Sequence, residues 1–538
     1  MKKVLLFVFS WTNVLIYGQT ITRSKLPIVS INTNGRTIPD EPKITATMQI
    51  RWREDGSFNE ITDPPTHYDG FIGIEMRGST SQFISPKKPY SIETRDVLGN
   101  ALDLALLKMP KENDWSLIAP YSDKSLIRDA LTYHLAAAFM PYAPRIRFCD
   151  VLLNGQYQGV YTMTEKIKRD KNRVDISKLD SLNFVGDALT GGYILKIDKT
   201  TGAQPTTLGF LSQYISGTQN ARTNYLFHYP DPENIKPAQV NYIKGVINEF
   251  ETVMQGSNYQ DPINGYSKYI DIPSFIDFLL INELTKNVDG YRLSSYLYKD
   301  KNSINPRLKM GPVWDFNIAL GNADYCQGGN TTGWAYNFNT ACPQDGFQIP
   351  FYWSKLIADP NFKGKIRARW KQLRQNELAN TKINNTVDSL NNMLSLSASY
   401  NFSRWNILST YVWPNNYVGG SYVAEINYLK TWLTNRIIWL DGQFEAFPVS
   451  NNDIITTDVK IFPNPSDIGF RFYYELKNKA DIKLLIYNNL GQLISEKNVL
   501  QEAGNHELYW HENVPKGLYN YILKTNNNEA KNGKIIVK

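Results

Sequence analysis

Apolar residues change their spacing twice along this chain, and that pattern limits the fold more than any single motif. In the first half they alternate in short runs: 27–32, 71–76, 88–94, then 148–153 and 159–163 on either side of Asn154-Gly155. Alternation marks half-buried strands, and Asn-Gly between two such runs is a strong hairpin signal. Further strands are expected around Ile44 and Met48 and over 192–197. The stretch 115–138 is expected to open as a loop and become a helix, with Leu126, Ala130, Leu131, His134 and Leu135 at helical spacing. Past Lys236 the helical period takes over. It predicts helices over 240–254, 273–284 (capped by Asp271), 352–373 and 425–444. After a polar stretch at 448–458 the alternation returns. A β-rich half followed by a helical half predicts an α+β protein whose cleft lies where the halves meet.

Composition decides which function classes to set aside. With 42% hydrophobic and 20% charged residues the chain can fill a large core. A net charge of +7 spread over 538 residues is too dilute for a nucleic-acid surface, and suits at most a basic groove for anionic ligands. Five His and three Cys occur without paired zinc-ligand spacing. At the start, Met1-Lys2-Lys3 leads into an apolar run at 4–17 interrupted by Thr12 and Asn13. The run falls short of the ~20 residues a spanning helix needs and predicts a cleaved signal peptide over 1–19. No later segment is long and apolar enough to span, so the mature chain is expected to carry no transmembrane segment. In an exported chain Cys326 and Cys342, which bracket a Gly/Asn-rich loop, are the expected disulfide, with Cys149 free in an apolar strand. The division that follows is a signal peptide at 1–19, an N-terminal β extension at 20–66, a main domain at 67–447, a linker at 448–458 and a C-terminal module at 459–538.

The C-terminal module consists of short alternating strands separated by turn residues, predicting a small β-sandwich. Its landmarks are Pro463-Asn464-Pro465, the Tyr487-to-Gln492 turn, Gly517-Leu518-Tyr519 and a last strand ending at Lys538. In these it resembles the C-terminal sorting domain of type IX secretion cargo in Bacteroidota. That resemblance implies the type IX secretion machinery as a partner, removal of the module, and release or surface attachment of the rest.

Chemistry has to come from the middle region. Arg77-Gly78-Ser79-Thr80-Ser81 is a turn of small residues followed by Pro86-Lys87-Lys88. Free N–H groups with a nearby lysine can cradle phosphate oxygens, though a glycine turn beside solvated lysines has the same pattern. Asn287-Val288-Asp289 ends an apolar helix, and Val313-Trp314-Asp315-Phe316-Asn317 follows a strand. Two such carboxylates could hold a divalent ion and orient a hydroxyl, or serve as a capping and a turn Asp. His134 reads as a core histidine, Arg128 as one half of an ion pair near the cleft, and Trp334, Tyr336 and Phe338 as loop packing or a stacking surface.

Six blocks between about 70 and 330 resemble the CotH family of atypical secreted kinases: IEMRGSTSQFISPKKPYSIE, DWSLIAPYSDKSLIRDALTYHL, VLLNGQYQGVYTMTEKI, GGYILKID, FIDFLLINELTKNVDGYRLSSYLYKD and VWDFNIALGNADY. The resemblance implies an atypical protein-kinase-like core, with its β-rich N-terminal half and helical C-terminal half, using ATP and Mg or Mn to phosphorylate Ser/Thr of proteins. By position it implies that Asp289 handles the acceptor hydroxyl and Asp315 binds metal. Arg77, Ser79, Lys87 and Lys88 fall in the segment facing the phosphates, and Glu165 near the nucleotide. The chain departs from the family pattern at Ser294, where Asn is usual, and at Asn317, where an acidic residue is usual; both stand at implied metal-ligand positions. Fewer anionic ligands there leave open a kinase-shaped surface protein that binds without catalysis. A glycoside hydrolase using the same acidic pair is a third possibility.

Overall fold

The computed structural model describes residues 21–201, 205–448, 459–476, 479–525 and 528–538. The expected signal peptide and all but the first residue of the expected linker lie outside them. The N-terminal strands close into a barrel. Its staves are Ile28–Asn32 (β1), Ile44–Arg51 (β2), Tyr68–Met76 (β3), Tyr90–Arg95 (β4), Asp114–Ile118 (β5), Ile146–Leu153 (β6) and Gln156–Glu165 (β7), in the order β1-β2-β3-β4-β5-β7-β6. Closure comes from a parallel pairing of β1 with β6, Val29 opposite Val151. Every second residue points inward, so Val29, Met48, Ile50, Ile72, Ile74, Ile92, Trp115, Leu117, Val151 and Met163 fill one sealed core. Two strands of the expected N-terminal extension, β1 and β2, are thus staves of the same barrel as β3 to β7. Asn154 and Gly155, at φ +50 and +78, form the tight turn between β6 and β7 that their sequence predicts. The expected loop at Trp115 is instead β5, because Trp115 and Leu117 are needed inside the barrel wall.

A second, five-stranded sheet follows. It contains Tyr193–Ile197 (β8), Gly209–Ile215 (β9), Arg222–Tyr229 (β10), Ser295–Lys299 (β11) and Lys309–Met310 (β12), ordered β9-β10-β8-β11-β12. Helices share the largest apolar core with this sheet. These are Arg128–Ala137 (α1), Pro237–Gln255 (α2), Ile272–Thr285 (α3), Tyr352–Ala358 (α4), Pro360–Gln375 (α5), Asn380–Arg404 (α6) and Tyr422–Glu445 (α7). As its sequence predicts, α3 starts at Asp271, whose carboxylate accepts from the Ser274 N–H at 3.0 Å. The single helix expected over 352–373 is two, since Pro360 cannot continue α4 and Asp359 caps α5 by accepting from the Asn361 N–H. Helix α6, rich in Asn and Ser, carries too weak an apolar stripe to be seen in the sequence. It lies on β7 at Gly159, where a Cβ would come within 2.5 Å of Asn401 Oδ1. His134 is exposed, while its neighbours Tyr133 and Leu135 face the core.

The structure is therefore α+β, with a barrel at its N-terminal end. Cys326 and Cys342 form the disulfide, and Cys149 is free and buried. The C-terminal module is a sandwich of Lys460–Phe462, Phe470–Leu476 and Gly504–Trp510 against Ala480–Tyr487, Leu493–Gln501, Gly517–Thr525 and Asn528–Val537. Phe472, Ile482, Leu484, Tyr521 and Leu523 are sealed between its two sheets.

Candidate functional site

Where barrel, second sheet and helices meet there is a cleft of about 600 Å³. Asp289 reaches it from the turn that follows α3. That helix ends at Lys286, in left-handed backbone at φ +45, and the Asn287 side chain accepts from the Asp289 N–H at 3.1 Å. Arg292 holds the Asp289 carboxylate from behind, with Nη2 at 2.7 Å. Arg292 is itself fixed by Asp345, by the Phe347 and Val288 carbonyls, and by the Phe338 ring 3.8 Å from its Cζ.

Asp315 enters from the segment after β12. Its backbone takes φ +65, a left-handed conformation that costs a non-glycine residue roughly 1–3 kcal/mol and persists only where neighbours enforce it. Here α1 enforces it. The Asp315 N–H donates to the Tyr133 hydroxyl at 3.0 Å and the Phe316 N–H to Asp129 Oδ1 at 2.6 Å. The Asp315 side chain opens into the cleft, whereas Asp129 is buried behind it.

Charge in the cleft is dense and mixed. Asp198, Asp289 and Asp315 line it together with Arg77, Lys166, Lys196 and Lys199. Lost hydration raises the Asp315 carboxyl above the usual range, and the negative charge of Asp289 raises it further against the pull of Arg77. Burial also raises Asp289, with Arg292 opposing and Asp198 adding; 26% of its side chain stays exposed, so water tempers the effect. Asp129 is raised by burial and then by Asp315. Arg77 stacks 5.4 Å from the Trp314 ring centroid, which keeps its guanidinium at the cleft. Lys199 donates to Thr80 Oγ1 at 3.0 Å and Lys196 pairs with Asp198 at 3.1 Å. His228, hydrogen-bonded to the Ile167 carbonyl, is pushed down to about 4 by burial and is neutral at physiological pH.

Of the residues singled out in the sequence, Arg77, Ser79, Asp289, Ser294, Asp315 and Asn317 all line this cleft. Lys87, Lys88 and Glu165 do not. Lys87 is buried, its Nζ donating to the Val160 carbonyl at 2.5 Å and to Asn401 Oδ1 at 2.9 Å, so it ties the barrel to α6. Lys88 donates to the Gln82 carbonyl. Glu165 is buried among Tyr142, Arg145 and Arg173 at the end of β7. The cleft's lysines are instead Lys166, Lys196 and Lys199, which join Arg77 and which the sequence shows only as charged strand ends in Glu165-Lys166 and Lys196-Ile197-Asp198-Lys199. Arg128 does form a buried ion pair, with Asp123. Trp334 packs within the loop and on α7, 4.8 Å from Trp439.

Among the described residues no three His, Cys, Asp or Glu side chains are grouped to hold a metal ion. The donor chemistry nonetheless suits a hard cation bound through few protein ligands. Mg²⁺ typically takes one or two carboxylates and completes its shell with substrate phosphates and water. Asp315, Ser294 and Asn317 all line the cleft and carry oxygen donors of the kind such a cation would take.

Residues 74–440 match the family described as CotH kinase protein, and residues 460–538 match the secretion system C-terminal sorting domain. No curated protein matches the chain. Among solved structures, an immunoglobulin-like protein from Pseudomonas aeruginosa is 16% identical over 15% of this chain and 90% of that one, with a TM-score of 0.12. Pseudomonas fluorescens alkylpurine DNA glycosylase AlkC, bound to DNA containing an abasic site analog, is 10% identical over 38% of this chain and 59% of that one, with a TM-score of 0.13. At such scores neither likeness carries an argument. The sorting domain marks the chain for the type IX machinery and for the cell surface or beyond, and among the described residues no helix is long and apolar enough to cross a membrane. With the whole cleft-forming region from 74 to 440 matched, the chain belongs to the CotH kinase protein family.

Proposed function

We propose that the cleft transfers the γ-phosphoryl group of ATP to Ser or Thr hydroxyls of exported proteins. One observation carries this reading: Asp289 and Asp315 line a single cavity together with Arg77 and three lysines. Phosphoryl transfer asks little covalent chemistry of a protein; it needs the donor and acceptor oxygens in line and the phosphate charge neutralised. Arg77 and Lys199 supply positive charge for the phosphates, beside Lys166 and Lys196, which also pair with Asp114 at 2.7 Å and Asp198 at 3.1 Å. Asp289, steadied by Arg292, has a carboxylate oxygen free to accept a hydrogen bond from the incoming hydroxyl. A divalent ion held by Asp315, with Ser294 and Asn317, would supply further charge neutralisation at the phosphates. Trp314, Tyr296 and Tyr121 give the cleft apolar faces suited to a flat base.

A second reading, a binding protein that has lost turnover, is favoured by the Arg292 clamp on Asp289 and by neutral Ser294 and Asn317. Labelled ATP with Mg²⁺ or Mn²⁺ and candidate exported proteins separates the two. On the first reading label is transferred, Asp289→Asn lowers turnover about a hundredfold or more with nucleotide affinity little changed, and Asp315→Asn weakens both. Nucleotide binding without any transfer supports the second. Transfer that survives Asp315→Asn removes the first.

A further inference from the structure

A cavity of about 630 Å³ lies along the same seam but apart from the cleft. The segment 166–176 divides them. Ile167 faces the cleft, Val174 and Ile176 face the second cavity, and all three pack in one apolar cluster with Ile194 and Tyr296. The charge of this second cavity is lopsided. Arg145, Lys171, Arg173, Arg307 and Lys309 line it, against the carboxylates of Asp175 and Asp300. Part of that charge is consumed internally: Arg145 and Arg173 grip the buried Glu165 at 3.0 and 3.2 Å, and Asp300 accepts from the Ser177 and Lys301 N–H groups at 3.0 and 2.8 Å. Lys171, Arg307 and Lys309 remain without a carboxylate partner among the described residues. Beside them stand Tyr298, Met140 and Ile304, the last 65% exposed.

We propose that this cavity docks an extended acidic segment of a partner protein, one in which Asp or Glu residues alternate with apolar ones. These three cations come from two separate stretches of chain, at 171 and at 307–309, where Arg307 is steadied by donating from Nε to the Ser267 carbonyl at 2.8 Å, so carboxylates spaced along a peptide match them better than one compact anion. The exposed Ile304 and the wall of Tyr298 and Met140 give the intervening apolar side chains somewhere to go. Glu165 acts as the internal counter-ion that fixes Arg145 and Arg173 in the floor, leaving the rim cations to the ligand. The assignment stands whether or not the cleft transfers a phosphoryl group.

The probe is a fluorescent peptide of alternating Glu and Leu titrated into the full chain. Saturable binding that weakens with salt is expected, and Lys171→Glu/Arg307→Glu/Lys309→Glu weakens it at least about tenfold. The corresponding Gln triple variant falls between the two, and serves alone if the charge reversal impairs folding. Arg77→Glu, in the cleft, leaves peptide affinity unchanged. No saturable binding by the natural chain, equal affinity in the triple variants, or loss of binding in Arg77→Glu would each overturn the assignment.

Discussion

At Asp315 a strained backbone and a crowded set of acids meet, and both depend on α1. Tyr133 and Asp129 each take an N–H from the Asp315–Phe316 turn, so the helix dictates where the cleft carboxylate stands. The cost is an acid buried beside another acid. Asp129 faces Asp315, Asp123 and Arg77, and burial followed by the charge of Asp315 raises its pKa. An acid raised in the folded state binds a proton that the unfolded chain has already lost above about pH 4, so its stabilising effect is complete below that pH and fades as pH climbs through the raised value. Thermal unfolding should therefore show a melting temperature that falls between about pH 5 and pH 8, and Asp129→Asn, which keeps an oxygen for the Phe316 N–H, should remove part of that fall. An unchanged pH profile in the variant would contradict this account. Asp315 and Asp289 were visible in the sequence through the blocks that resemble the CotH family, since their positions alone fit a capping and a turn Asp equally well. The sequence hid Asp129, which looks like any first-turn helix acid, and it misplaced Lys87, because a lysine beside Pro86 and Lys88 reads as solvated until Asn401 arrives from a helix far along the chain.

Among the elements, α3 and α7 are joined by the pair Glu283–Arg436, with both side chains fully buried. Glu283 also accepts from the Ala335 and Tyr336 N–H groups and the Tyr291 hydroxyl, while Arg436 donates to the Thr331 and Gly333 carbonyls. The pair thus pins the loop closed by Cys326–Cys342 to the helix that ends near Asp289. Removing one partner strands the other's charge, so Arg436→Met should cost about 3–5 kcal/mol in urea unfolding. A loss below about 1 kcal/mol would mean that the site relaxes or admits water. Elements with strong local signals were legible: the Asn154-Gly155 hairpin, the Asp271 cap, and the apolar face of α2. Those fixed by distant partners were not. β5 is short and looks like a loop until the barrel claims Trp115, and α6 shows its buried face only where β7 lies under it.

For the molecule as a whole, the α+β character and the C-terminal sandwich followed from the two changes of apolar period. Barrel closure did not, since the parallel pairing of β1 with β6 joins residues more than a hundred positions apart and leaves no local trace. The same distance explains why the cleft's lysines escaped notice: they stand at the ends of two strands, Lys166 after β7 and Lys196 and Lys199 at the end of β8, that only the tertiary fold brings together. Export belongs to this scale too. A chain ending before residue 459 should accumulate inside the cell envelope and be missing from the surface and medium when fractions are immunoblotted, whereas normal delivery would show that the sandwich is dispensable. The claim on which the functional account rests is that Asp289, Asp315 and Arg77 surround one phosphate-binding cleft. Crystals grown with Mn²⁺ and a non-hydrolysable ATP analogue test it most directly. The account predicts an anomalous manganese peak against the Asp315 carboxylate, with the analogue's phosphates lying between it and Arg77; analogue density anywhere else on the molecule would contradict it.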